Sequence, residues 1–472
     1  LERAALPGDR AALLLPQGLD YVAAFLGCLY AGVVAVPLFT PDLPGHEGRL
    51  AAVLADCEPA CVLTDSGSLE TVSHFLAGQE RGAPPVLTVD GLPSTAWEPP
   101  VERRAGPGDV AYLQYTSGST RVPAGVALTH RNVVANASQA VAVYARDADA
   151  TTTVSWLPLF HDMGLVLSVA APVFGGFPSV LMDPVSFLVR PVRWLRLMSR
   201  YPGVVGAAPN FAYDYCASRV TEDEKAELDL TRVRVLINGS EPVRPSTVTR
   251  FREAFGPCGL RAEAHCPSYG LAEATVFVCA DPFDAPPSRL AVDRAALNEG
   301  KAVPVDESDA SALPVVTCGA PVGQRLRIVD AERGTAVPDG EVGEIWLQGP
   351  NIGACYWNRP EQSAETFAAT LAGEEGHWLR TGDLGALHEG ALLVTGRLKD
   401  LIIIDGRNHY PQDIEETVQR ELAVVRRDRA AAFTVPGEYG AERLVVVAER
   451  GRDAAVALSH SPCSASRPRS AT

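Results

Sequence analysis

Lysine is nearly missing from this chain. Of 41 basic residues only Lys225, Lys301 and Lys399 are lysines; the rest are arginine. A basic surplus is missing too. With 57 acidic residues the formal net charge is −16, which argues against a general binder of nucleic acid or of an anionic membrane, since both require a positive field. The ten cysteines form no Cys-x-x-Cys pair, and Cys57 and Cys61 come closest. Disulfide frameworks belong to short secreted chains, so reduced thiols and a cytoplasmic setting are expected. There is no Walker A pattern, no internal repeat, and no basic segment ahead of an apolar one that would suit a signal peptide. One stretch, Tyr21 to Phe39, holds no charge and reaches the length of a membrane span. Gly32 and Pro37 divide it, so it is expected to form a buried helix, Leu19–Ala31, and a buried strand, Val33–Leu38, with no stable membrane insertion.

What is present is a chain of 472 residues, 47% hydrophobic, long enough for more than one domain. Short β-branched runs (Ala60–Thr64, Val110–Tyr115, Thr153–Leu157, Val204–Ala207, Val233–Asn238) alternate with helical patterns at His130–Tyr144, Phe187–Arg200 and Ser246–Phe255. That alternation predicts an α/β architecture with largely parallel sheets. Past about residue 320, strands at Arg325–Val329, Gly343–Gln348, Asp383–Leu387, Ala391–Thr395 and Asp400–Ile404 follow one another through Gly, Asp and Pro turns, as in an antiparallel β subdomain. Residues 281–318 are poor in periodicity and read as a surface insertion. A boundary is expected near Arg397–Asp400, followed by a strand, a turn at Gly406, a helix from Pro411 and strands Ala430–Val435 and Leu444–Ala448.

The strongest local signal is Tyr115-Thr-Ser-Gly-Ser-Thr-Arg-Val-Pro-Ala-Gly125, with a strand on either side. Glycine and small hydroxyl residues let backbone N–H groups and the Thr116, Ser117, Ser119 and Thr120 hydroxyls surround a polyphosphate, with Gly118 permitting close approach. An ordinary polar turn is the alternative at this point.

Five further segments follow in order: Trp156-Leu-Pro-Leu-Phe-His-Asp-Met-Gly164, Asn238-Gly-Ser-Glu-Pro242, Ser268-Tyr-Gly-Leu-Ala-Glu273, Arg380-Thr-Gly-Asp383 and Gly396-Arg-Leu-Lys-Asp400. Together the six resemble the signatures of the adenylate-forming ligases, the superfamily of acyl-CoA synthetases and adenylation domains. Ala124 stands where most of that superfamily carries lysine, and Ala272 where threonine is usual. With the spellings around Asn238, Tyr269 and Ile402–Glu415, these variants are similar to the fatty acyl-AMP ligases.

The resemblance implies a large N-terminal domain over 1–396, built of two α/β subdomains and a β subdomain. A small, incomplete α+β domain would follow over 397–458, then a non-native-looking tail over 459–472. It implies ATP-dependent activation of a fatty acid to acyl-adenylate, with ATP/AMP and Mg²⁺ as cofactors. Transfer to an acyl carrier protein in lipid, polyketide or lipopeptide biosynthesis would follow. Glu273 would hold Mg²⁺, Asp383 the ribose hydroxyls and Arg397 the ribose or phosphate. Gly239, Ser240 and Glu241 would offer backbone to adenine, with Ser268, Tyr269 and Gly270 beside them, Tyr269 stacking on the base. His161 would close over the phosphate or the mouth of an acyl channel, in a region holding Val166, Leu167, Phe174, Phe177, Phe211 and Tyr213. Asp400 would be the hinge. Each has a plainer reading: a surface carboxylate, a turn aspartate, a surface ion pair, a core tyrosine, a structural histidine.

The scarcity of lysine then acquires a meaning. The superfamily's C-terminal catalytic lysine has no candidate, because no lysine follows Lys399. Weak adenylation is therefore expected. The other readings are a fatty acyl-CoA synthetase and a nucleotide- or acyl-binding protein without turnover.

Overall fold

The computed structural model of the chain describes residues 4–43, 45–79, 82–91, 105–116, 123–404, 407–436 and 442–451. It divides into two compact units, Leu1–Leu398 and Lys399–Thr472.

The first unit holds three principal sheets. One has seven strands in the order Cys355–Tyr356, Gly125–Thr129, Val110–Tyr115, Val34–Pro37, Arg10–Leu13, Cys61–Thr64, Val86–Thr88. Its last five strands are mutually parallel, and the two at the other edge run antiparallel. The second repeats that plan: Ala320–Pro321 and Phe277–Ala280 are antiparallel additions to a parallel set formed by His265–Gly270, Val233–Asn238, Val204–Ala208, Thr152–Ser155 and Ser179–Leu181. Strands such as Val34–Pro37, Cys61–Thr64 and Val204–Ala208 are buried at every residue, as parallel strands covered on both faces must be. The third sheet is antiparallel, ordered Thr335–Ala336, Arg325–Asp330, Gly343–Gln348, Leu379–His388, Ala391–Arg397. The expected two α/β layers and β subdomain are all present.

The uncharged stretch folds as a helix, Leu19–Ala31, closed by Gly32 at φ +68°, and a strand, Val34–Pro37. Tyr21, Ala24, Phe25 and Cys28 are buried while Leu19 and Tyr30 face solvent, so the helix is one-sided. Among the described residues no helix is long and apolar enough to cross a membrane. The single helix expected over Phe187–Arg200 is instead two, Pro184–Val189 and Val192–Met198. Arg190 lies outside the helical region just before Pro191, which disfavours helix in the residue ahead of it. Residues 281–318 are not structureless: Arg289–Asp293 pairs with Ala312–Val316 around a short helix, Arg294–Asn298, with Val292, Leu297 and Val316 buried. So short a ribbon leaves too few alternations to be seen in sequence.

In the second unit, helix Pro411–Glu421 packs on a hairpin of Val425–Pro436 and Glu442–Arg450, and Ile402–Ile404 pairs with Arg407–His409. Both hairpin strands run longer than their apolar stretches, because arginine and glutamate continue the ladder at the outer ends. The turn at Gly406 and the 459–472 tail lie outside the described residues.

One helix joins the layers by polar contacts. His130–Tyr144 begins with a capping box between Thr129 and Asn132. Asn132, Asn136 and Gln139 then share a face by their spacing of four and three. The Asn132 amide donates to the carbonyls of Pro350 and Ile352 at 2.9 and 2.7 Å. Asn136 donates to the Phe277 carbonyl and accepts from its N–H, and Gln139 donates to Gly323. Replacing Asn136, which is fully buried, strands the Phe277 N–H. Asn136→Ala should therefore lose about 2–3 kcal/mol, read as a lower urea midpoint with an unchanged slope; an unmoved midpoint would show that the network is dispensable.

Candidate functional site

The loop expected to bind phosphate joins two antiparallel strands, Val110–Tyr115 and Gly125–Thr129. Its stem is closed by a Thr116 N–H bond to the Ala124 carbonyl at 3.1 Å. Tyr115 donates its phenol proton to Asp56 at 2.7 Å, and Arg359 pairs with the other oxygen of Asp56 at 2.9 Å. Arg49 donates to the Thr116 carbonyl at 3.2 Å. Ser117, Gly118, Ser119 and Thr120 lie outside the described residues.

The two adenine segments end neighbouring parallel strands of the second sheet and meet in one cleft. Gly239, Ser240, Ser268, Tyr269 and Gly270 line it, with Tyr144, Asp162, Met163 and Leu167 opposite. Ser240 holds a positive φ of +71°, uncommon for a residue with a side chain, and donates to the Met163 sulfur at 3.3 Å. Gly270 is required by close approach: a Cβ there would lie 1.6 Å from the Val276 carbonyl oxygen. Tyr144 and Ser268 share a hydrogen bond of 2.9 Å at the back of the cleft.

Glu273 follows in a tight turn. Thr275 has φ +70° and ψ −60°, and Val276 N–H closes a three-residue turn on the Ala274 carbonyl at 2.9 Å. That γ-turn is strained for a β-branched residue and persists only where its surroundings over-determine it. The surroundings are the segment 349–353: Thr275 donates to the Asn351 carbonyl, the Asn351 amide donates to the Ala274 carbonyl, and Gly353 N–H bonds the Glu273 carbonyl at 2.8 Å. The Glu273 carboxylate accepts a 2.6 Å hydrogen bond from Tyr356 at Oε1.

Asp383 sits at a turn held by a buried charge. Glu344 receives Arg380, Trp346 and the Gly382 N–H at 2.9–3.1 Å. Asp383 itself accepts from the Tyr269 hydroxyl at 2.8 Å and pairs with Arg397 at 3.3 Å. A carboxylate has about four lone-pair sites, so two remain for further donors. Burial pushes the Asp383 carboxyl above its ordinary range; Arg397 opposes this and the Glu273 charge adds to it. Asp162 is likewise pushed up, to about 6, by burial first and by Glu273 as well. Glu273 thus exerts a negative potential on two other carboxyls, a field that suits a cation. Among the described residues no cluster of three or more metal-ligating side chains exists. A lone carboxylate fits Mg²⁺, which keeps its waters and takes oxygens from substrate phosphates.

His161 precedes a helix that begins at Asp162 and widens into a π-helical stretch at Val166–Ala170, a form frequent at functional sites. Gly164 lets that helix lie on the preceding chain, since a Cβ would sit 2.1 Å from the Pro158 carbonyl oxygen. Burial, then the charges of Arg49 and His46, lower the His161 imidazole to about 4. Arg49, whose charge reaches His161, also bonds the stem of the phosphate loop.

Of the six residues suggested for an acyl channel, Leu167 lines the cleft. Val166 and Tyr213 are wholly buried, Tyr213 bonded to the Ile237 carbonyl, and Phe177 is nearly so. Phe174 and Phe211 are exposed. A larger cavity of about 300 Å³ lies against Phe251, Arg252, Arg261 and His265, and no residue of the six motifs lines it. Glu241 pairs loosely with Arg244 at 3.9 Å and stands outside the cleft lining. Asp400 falls two residues beyond the division between the units. Sequence reading missed Tyr356, Asn351 and Glu344. The available signals were a glutamate inside an apolar strand and the run Gly349-Pro-Asn-Ile-Gly-Ala-Cys-Tyr-Trp, rich in residues that serve close contacts.

Comparison with known proteins identifies the family. Residues 1–357 match the AMP-binding enzyme family. The chain is 44% identical to the long-chain-fatty-acid–AMP ligase FadD32 of Mycolicibacterium smegmatis, over 95% of this chain and 77% of that protein. It is 43% identical to a 4-hydroxyphenylalkanoate adenylyltransferase of Mycobacterium tuberculosis, over 94% and 73%. Among solved structures, the fatty acyl-adenylate ligase of L. pneumophila in complex with acyl adenylate and pyrophosphate superposes with a TM-score of 0.80 at 36% identity, covering 95% of this chain and 78% of that one.

The depressed imidazole predicts a pH effect. Because the folded state holds His161 neutral down to about 4, its contribution to stability is present above the unfolded pKa of about 6.5 and is lost as pH falls toward 4. His161→Gln should remove that component. The stability difference between wild type and variant should shrink by about 2–3 kcal/mol between pH 7 and pH 4 in urea titrations; a difference constant with pH would refute it.

Proposed function

The chain belongs to the AMP-binding enzymes, among the fatty acyl-AMP ligases, and on that premise we propose how its residues divide the work. It is a ligase that activates a fatty acid with ATP. A fatty carboxylate oxygen attacks the α-phosphorus, the bond to the α–β bridging oxygen breaks, and acyl-adenylate and pyrophosphate result. Both reactants are anions, so positioning and charge stabilisation supply most of the rate. The adenine lies against Gly239, Ser240, Ser268, Tyr269 and Gly270, with Glu241 at the edge. Asp383 takes the ribose hydroxyls while Tyr269 and Arg397 hold its carboxylate still. Thr116, Ser117, Gly118, Ser119 and Thr120 cradle the phosphates. Glu273 holds Mg²⁺, which supplies charge neutralisation at the phosphate oxygens when bound. His161, kept neutral, stands where Arg49 reaches toward the phosphate loop.

The observation that carries this reading is the Tyr269–Asp383 hydrogen bond, which ties the base-binding turn to the residue expected to hold the ribose. Transfer of the acyl group to the thiol of an acyl carrier protein, with release of AMP, is the second half of the proposal. So are the hinge at Asp400 and a cytoplasmic setting. Supplying coenzyme A and a thiol-bearing carrier side by side separates this from an acyl-CoA synthetase. Efficient acyl-CoA formation would reject it.

Asp383→Ala removes two charge-assisted hydrogen bonds worth about 1.5–3 kcal/mol each. The KM for ATP should rise at least tenfold while the KM for fatty acid stays within about twofold; an unchanged KM for ATP would sink the ribose role.

A further inference from the structure

The geometry points to Tyr356 as a positioning residue for Glu273, one that sets the carboxylate in register with the phosphate-binding hairpin. This rests on the reading of Glu273 as the Mg²⁺ carboxylate. Three observations carry it. First, the Tyr356 hydroxyl donates to Glu273 Oε1 at 2.6 Å, a length usual for a hydroxyl on a charged acceptor. Glu273 Oε2 has no protein partner among the described residues, so one oxygen is fixed and the other is left to a cation.

Second, the backbone of Tyr356 belongs to the sheet that carries the phosphate loop. Cys355 and Tyr356 pair with Ala127 and Val126. Ala354 N–H bonds the Ala127 carbonyl at 2.9 Å and Trp357 N–H bonds the Gly125 carbonyl at 2.7 Å. Glu273 is on a different sheet's turn, and Gly353 N–H reaches its carbonyl from the same segment. Residues 353–357 therefore span from the strand leaving the phosphate loop to the main chain and the side chain of Glu273. Third, the Tyr356 ring is locked: it is buried and meets Phe367 edge-on at 5.0 Å. A rigid ring gives its hydroxyl one direction.

The consequence is a division of labour. The γ-turn at Thr275 fixes where the Glu273 backbone lies, and Tyr356 fixes which oxygen faces the phosphates. Partners of this kind typically account for about 10- to 100-fold in metal affinity.

Tyr356→Phe keeps the ring and its packing and deletes only the hydroxyl. The test is Mn²⁺ binding by electron paramagnetic resonance in the presence of a non-hydrolysable ATP analogue, for the full chain, Tyr356→Phe and Glu273→Gln. The expected result is a Mn²⁺ affinity about tenfold weaker in Tyr356→Phe, with metal-free nucleotide affinity unchanged, and a larger loss in Glu273→Gln. A packing role alone would lower the thermal midpoint without moving Mn²⁺ affinity. Tyr356→Phe within twofold of wild type, with Glu273→Gln weakened, overturns the positioning role alone. Glu273→Gln equal to wild type overturns the metal reading beneath it.

Discussion

A single strap of backbone, residues 349–357, holds the active region in register. It bonds the helix His130–Tyr144 through Asn132, the γ-turn after Glu273 through Asn351 and Gly353, and the strand leaving the phosphate loop through Ala354 and Trp357. These partners come from two different seven-stranded sheets. Apolar contact would let such layers slide, because hydrophobic burial has no direction. Hydrogen bonds between buried backbone groups admit one register, since any other leaves polar groups unpaired at a cost of about 1–3 kcal/mol each. The polar face of one helix and one irregular segment thereby decide how the motif segments are placed.

The same logic governs the charges. Asp383, Asp162 and Glu344 are each removed in large part from water, yet their surroundings differ. Glu344 is saturated by Arg380, Trp346 and Gly382 and acts as a structural anchor beneath the turn. Asp383 is left with acceptor capacity, and Asp162 and Asp383 both have carboxyls raised by burial and by Glu273. Carboxylates kept uneasy in this way are relieved by a bound cation and by hydroxyl donors. In a chain with a net charge of −16, a polyanion is held only where a local arrangement of donors outweighs the global charge.

Much of the fold was legible beforehand because long periodic segments report burial directly. His130–Tyr144 and Leu19–Ala31 run over the residues expected of them, the first starting at the Thr129 capping box and the second ending at Gly32. The helix expected over Phe187–Arg200 failed at Pro191, where a local steric rule outweighed a good apolar period. The hairpin inside 281–318 escaped notice because five-residue strands joined by a long excursion carry little pattern. In the candidate site, sequence reading reached only residues inside short motifs; Tyr356 and Asn351 escaped it, since each acts on a partner 77 or 83 residues away. Nothing local marks such a partnership.

The sequence by itself determined the α/β alternation, the six ordered motifs and the scarcity of lysine, all of which are local in the chain or simple counts. Tertiary structure alone decided that Tyr269 would meet Asp383, that Glu273 would be held by Tyr356, and that Leu167, rather than Phe174 or Phe211, would face the cleft. The reason is physical. Residue type and spacing fix which groups can bond and which must be buried, but the choice among possible partners is made only when separate sheets stack and every buried donor has to find an acceptor.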